Sequence, residues 1–109
     1  MASKQSTVDY ICEQIVQAGN IRFRKMFGEY ALYCNEKVVA LVCDDQLFIK
    51  PTNAGRELIE SLEEAPPYPG AKNYFLISPD LWEDREFLTK LINATAMELP
   101  LPKIKKKKM

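Results

Sequence analysis

The side chains with chemistry to offer in this 109-residue sequence are three thiols, a carboxylate beside a glycine, two adjacent aspartates and a run of lysines. Cys12, Cys34 and Cys43 stand at scattered spacing with no Cys-x-x-Cys pair, and the sequence contains no histidine. Tetrahedral zinc takes four Cys or His ligands at close spacing, so the usual zinc sites are excluded. Histidine-based triads and the commonest general base are excluded with them. An odd, scattered set of cysteines reads as small buried apolar groups in a reducing compartment. The expectation is no metal, no cofactor and no enzymatic activity.

Glu29 lies in MFGEYALYC, residues 26–34, where Met26 and Phe27 run into Gly28 and then into alternating residues. Gly28 reads as a bulge or bend between two strands, with Met26 and Phe27 expected to anchor it in the core. A working acid or base normally needs a second titrating group or a metal close by, so Glu29 alone is weak support for catalysis. In KPTNAGRE, residues 50–57, the amides of a helix N-terminus stand near Lys50 and Arg56 and could hold an anion. Thr52 also explains that start as an ordinary cap, and Gly55 as a close approach to the sheet. APPYPGAK, residues 65–72, sets three prolines around Tyr68. Pro69-Gly70 suits the centre of a type II turn, and Tyr68–Pro69 is a candidate for a cis bond. The loop either rims a pocket and meets a partner, or is a stiff connector over the sheet edge.

The net charge of zero hides an asymmetry, because Lys103, Lys105, Lys106, Lys107 and Lys108 all lie in the last seven residues. Without them the chain carries 15 − 5 = 10 basic residues against 15 acidic ones, a net of −5 over 1–102. The sequence thus divides into a domain over 1–102 and a lysine-rich tail over 103–109 that has too few apolar groups to fold. Those five lysines are either a solvated end or an arm that lands on phosphate backbone without reading sequence. The acidic body is no general DNA clamp.

The elements that must position these groups follow from periodicity. Ser6–Gly19 reads as a helix with Val8, Ile11, Cys12, Ile15 and Val16 on one face and Gln14 facing away; Ser6 and Asp9 resemble a capping box. Ile21–Lys25, Glu29–Cys34, Val38–Cys43 and Gln46–Lys50 read as four strands joined by tight polar turns. The continuous apolar run Val38–Cys43 is expected to be central and covered on both sides. A second helix follows over Asn53–Glu64, then a fifth strand over Asn73–Ser78, then a helix that opens at Ser78-Pro79-Asp80 and runs to Leu99. The order α–β–β–β–β–α–β–α gives an α+β two-layer domain, an antiparallel sheet of about five strands flanked by helices. No apolar run reaches the roughly 18 residues of a membrane span, and MASKQSTVDY lacks the apolar core of a secretory signal. The expected location is the cytoplasm.

MFGEYALYC followed by VVALVCDDQLFIKPT resembles the N-terminal domain of TfoX (Sxy), a bacterial regulator of competence genes. Its hallmark, a basic residue and then Met-Phe-Gly and an aromatic strand, falls on Arg24, Met26, Phe27, Gly28, Glu29 and Tyr30. The resemblance covers most of residues 8–99. It implies an α+β fold, no enzymatic activity and transcription regulation through protein contacts, with longer members working beside the cyclic-AMP receptor protein. The lysine tail stands where those longer members carry a helical second domain. The reading favoured is a regulatory interaction domain with a protein partner, aided by nucleic-acid contact through the tail. The alternative is a small-ligand site or minor enzyme in a cleft between MFGEY and PPYPG, with Glu29, Tyr30, Pro67, Tyr68 and Pro69 as its surface. A homodimer through an exposed strand is a third reading.

Overall fold

The computed structural model describes residues 3–26, 29–58 and 63–100. The chain runs through α1 (Gln5–Gln14), a short 3-10 turn (Val16–Ala18), β1 (Ile21–Met26), β2 (Glu29–Cys34), β3 (Lys37–Cys43) and β4 (Gln46–Ile49). It continues with α2 (Asn53–Leu58), β5 (Glu63–Ala65), β6 (Tyr74–Ile77), α3 (Pro79–Trp82) and α4 (Arg85–Glu98). All strand pairs are antiparallel, in the order β1-β2-β3-β4-β6-β5. The α+β two-layer reading holds, with six strands where about five were expected.

The meander is set by its turns. Asn35-Glu36 and Asp44-Asp45 each hold both central residues at positive φ, between 53° and 70°. These are two-residue hairpin loops whose twist matches that of the strands they join. The paired acids Asp44 and Asp45 are therefore turn residues.

One face of the sheet carries Leu32, Ala40, Ile49 and Phe75 in a cross-strand row. Val8, Ile11, Ile15, Leu88, Leu91 and Ile92 of the helices close over that row as the core. The opposite face carries a second apolar row, Ala31, Leu41, Phe48 and Leu76. Ala31 and Phe48 are buried there too, but Leu41 of β3 between them is half-buried, so this face of the central strand is only partly covered where the run Val38–Cys43 implied full cover.

Several boundaries differ from the sequence reading. The first helix stops at Gln14 and tightens into a 3-10 turn, which leaves Val16 56% exposed, not on the core stripe. No side chain caps α1; its start is tied by the Lys4 amide and the Thr7 hydroxyl, both donating to Asp45 Oδ1 at 2.8 and 3.1 Å. Gln14, expected to face solvent, is buried. Its side-chain amide donates to the Trp82 carbonyl at 2.7 Å, and its Oε1 accepts from Arg85. The last helix is broken at Glu83-Asp84, where Asp84 caps α4 by accepting from the Phe87 amide at 3.1 Å. The second helix, expected to reach Glu64, is described only to Leu58; Ile59–Leu62 lie outside the described residues, and Glu63–Ala65 is edge strand β5.

Candidate functional site

On the sheet face opposite the core, a cleft of about 510 Å³ lies between the β1–β2 hairpin and the proline loop. Met26 and Glu29, paired across the hairpin, border it on one side, and Pro67 and Tyr68 on the other. Leu41 and Cys43 of β3 line it between them. The sequence reading placed a cleft here and named Glu29, Tyr30, Pro67 and Tyr68, all of which line it. Pro69 belongs instead to the turn beyond. There the Ala71 amide donates to the Tyr68 carbonyl at 3.1 Å and Gly70 takes φ 88°, the type II geometry. The Tyr68–Pro69 bond is trans, against the cis candidate.

Leu41 and Cys43 were missed. Their signal was in the alternation of β3: if Ala40 and Val42 face the helices, 41 and 43 face away. Met26 was expected to be a core anchor. It is 40% exposed at the mouth of the cleft, because Ile21, Phe23 and Lys25 occupy the other face of β1. Phe27 and Gly28 lie outside the described residues, as do Lys103, Lys105, Lys106, Lys107 and Lys108.

The cleft is poor in chemistry. The Glu29 carboxylate is engaged by the chain itself: it accepts from the Ser3 hydroxyl at 2.6 Å, the Ser3 amide at 3.1 Å and the Asp44 amide at 3.1 Å. Ser3 Oγ in turn accepts from the Asp45 amide at 2.9 Å. Glu29 thus clasps the segment before α1 to the β3–β4 turn. Burial, with the nearby negative charges of Glu29 and Asp44, pushes the Cys43 thiol up to about 11. It is protonated at neutral pH and not a ready nucleophile. Cys12 is likewise raised to about 11, by burial and then Asp9, and burial raises Cys34. Tyr30 is 3% exposed and sits edge-on to Phe23, with ring centres 5.6 Å apart. Among the described residues no group of three or more Cys, Asp and Glu side chains gathers as a metal site.

The anion site considered over residues 50–57 is already filled from within. Glu98, at the end of α4, accepts from the Asn53 and Ala54 amides at 2.9 Å each, and Thr52 Oγ1 accepts from the Gly55 amide at 3.0 Å. A second hollow, about 540 Å³ between the 3-10 turn and α4, is bordered by Arg85, Thr89 and Asn93. Each of these is committed to a structural bond: Arg85 to Gln14 Oε1, Thr89 to the Gln14 carbonyl and Asn93 to the Ala18 carbonyl.

With this geometry in place, comparison with known proteins is decisive about kinship: residues 13–99 match the model of the TfoX N-terminal domain. The chain belongs to the TfoX N-terminal domain family. It is also 43% identical over 108 residues to an uncharacterized 12.7 kDa protein in the trpE 5′ region of Spirochaeta aurantia, covering 99% of this chain and 93% of that one. Within this TfoX N-terminal domain, the residues that carried the resemblance divide by task. Arg24 and Met26 share the face of β1 turned away from the helices, Tyr30 packs against Phe23, and Glu29 is the clasp. No helix among the described residues is long and apolar enough to cross a membrane.

Proposed function

We propose that this TfoX N-terminal domain is a non-enzymatic regulatory module of transcription that docks a partner protein through the cleft beneath the proline loop. The observation that supports this is the lining of the cleft. Met26, Leu41, Pro67 and Tyr68 offer apolar surface, while its one carboxylate is bound to Ser3 and Asp44 and its one thiol is held protonated. Such a hollow suits an aliphatic or aromatic side chain, with Glu29 given over to the clasp and Cys43 held protonated. Tyr68, 56% exposed on a proline-stiffened loop, is placed to close over an inserted group. In this reading the lysine tail adds sequence-independent contact with DNA near the promoter.

The test is fluorescence anisotropy of the labelled full chain titrated with purified cyclic-AMP receptor protein and promoter DNA. Saturable binding is expected, weakened about tenfold or more by Met26→Glu or Tyr68→Ala, which sit on separate elements. Removal of 103–109 is expected to weaken only the DNA-dependent part. The volume of the cleft also lies within the range of small-molecule sites, which favours a second reading as a ligand pocket. A thermal-shift panel of nucleotides, sugars and carboxylates separates the two. A strong stabiliser lost in Tyr68→Ala, with no binding to the transcription proteins, would replace the docking model.

A further inference from the structure

The strand at the open edge of the sheet carries a charge pattern that the cleft does not explain. β1 is terminal in the sheet, and no strand among the described residues pairs with its outer side. Its sequence, IRFRKM, places three cations within four residues, in a body that is otherwise net acidic. Arg22 is engaged: it bonds Glu36 at 2.8 Å and lies 4.5 Å over the Tyr33 ring. Arg24 and Lys25 are exposed and make no ion pair among the described residues.

A bare six-residue edge is a template for another strand, and its charges decide which strand it accepts. A second copy is rejected. Antiparallel pairing of two β1 strands edge to edge keeps each residue on its own face, so the most extensive registers put Arg22 opposite Arg24 twice or Arg24 opposite itself, and like charges directly opposite destabilise a strand pair. The same pattern rewards an incoming strand that carries carboxylates opposite Arg24 and Lys25. Met26, the last residue of β1, is also a wall of the cleft, so the added strand runs past the mouth of the apolar hollow.

We propose that the outer edge of β1 accepts an acidic, extended segment of a partner protein, which sets an apolar side chain into the cleft at Met26. This rests on the reading of the cleft as a docking point, and it names the partner's chemistry: two adjacent carboxylates, one on each face to meet Arg24 and Lys25, next to an aliphatic or aromatic residue opposite Met26. Backbone bonds to β1 supply affinity, and Arg24 and Lys25 supply the sign of the charge.

The experiment uses the ¹⁵N-labelled full chain and a synthetic seven-residue peptide, Thr-Phe-Asp-Asp-Val-Thr-Val, capped at both ends, which in antiparallel register sets Phe opposite Met26 and the two Asp opposite Lys25 and Arg24. Amide shifts are expected over Ile21–Met26 and at Leu41 and Cys43. Affinity is expected to fall as salt rises from about 50 to about 200 mM, and by about tenfold in Arg24→Gln/Lys25→Gln, whose fold is checked by its unchanged remaining spectrum. The same peptide with Lys for Asp is expected not to bind. Equal binding of both peptides, unaltered binding by the double variant, or shifts centred away from β1 would overturn the proposal. So would concentration-dependent broadening of β1 amides without peptide, which would put a second copy on that edge. If no peptide binds but N-acetylphenylalanine amide still shifts Leu41 and Cys43, the strand acceptor fails and the cleft stands. Silence of that probe as well would remove both.

Discussion

Glu29 shows how a carboxylate that looks chemical can be wholly structural. Its oxygens accept from two groups of Ser3 and from the Asp44 amide, so one side chain joins the start of the chain, the β1–β2 hairpin and the β3–β4 turn. Glu29→Gln can keep all three donors on one oxygen, but it removes the charge that strengthens those bonds and turns an NH₂ group toward the Asp44 amide, which also donates to Oε2 at 3.2 Å. The expected loss of stability is about 1–3 kcal/mol, read as a lower urea midpoint at unchanged slope. An unchanged midpoint would mean that the clasp contributes nothing and would reopen a functional role for this carboxylate. The sequence could show that Glu29 lacked a catalytic partner nearby. It could not show Ser3, because the bond spans 26 residues and no local pattern encodes it.

Among elements, the strands were the legible part, since alternation and tight turns are local: Glu29–Cys34 was read at its observed bounds and the other meander strands within a residue or so. β5 was not legible, because Glu63-Glu64-Ala65 has no apolar alternation and its strand character comes from pairing with β6. The break between α3 and α4 was hidden by apolar spacing that continues across it. What decides it is polar: Gln14 reaches from α1 to the Trp82 carbonyl, Arg85 donates to Gln14 from the first turn of α4, and the Trp82 indole N–H bonds the Ile77 carbonyl at 3.0 Å. The cleft was half legible for the same reason. The hairpin and the proline loop announce themselves, whereas Leu41 and Cys43 come from a strand apolar on both faces. Gln14→Ala strands the Trp82 carbonyl and the Arg85 guanidinium in a partly buried join. It is expected to cost about 1–3 kcal/mol, with the largest rise in amide exchange at residues 82–89. Uniform exchange increases across the sheet would show that the join is not where the helices are held.

At the scale of the whole molecule, two carboxylates, the half-buried Asp45 and the exposed Glu98, hold remote parts of the chain together and should make the fold acid-sensitive. Asp45 is held below its ordinary value of 3.8 chiefly by the Lys4 amide, with help from the Thr7 hydroxyl and Lys4 charge. Glu98 is held below 4.5 by the amides of Ala54 and Asn53, at the junction of α2 with α4. Because both are depressed in the fold, the unfolded chain takes up protons first as pH falls. The stability they contribute is fully present above the unfolded values and drains away as pH drops through the folded ones. Urea midpoints are therefore expected to be level from neutrality to about pH 5 and to fall steadily below about pH 4. The double variant Asp45→Asn/Glu98→Gln separates these groups from the other carboxylates. It should be less stable than the parent at neutral pH, with a shallower acid decline, so that the two curves converge at low pH. Parallel curves would mean that neither clamp senses protons, and that acid sensitivity lies in carboxylates elsewhere on the acidic body.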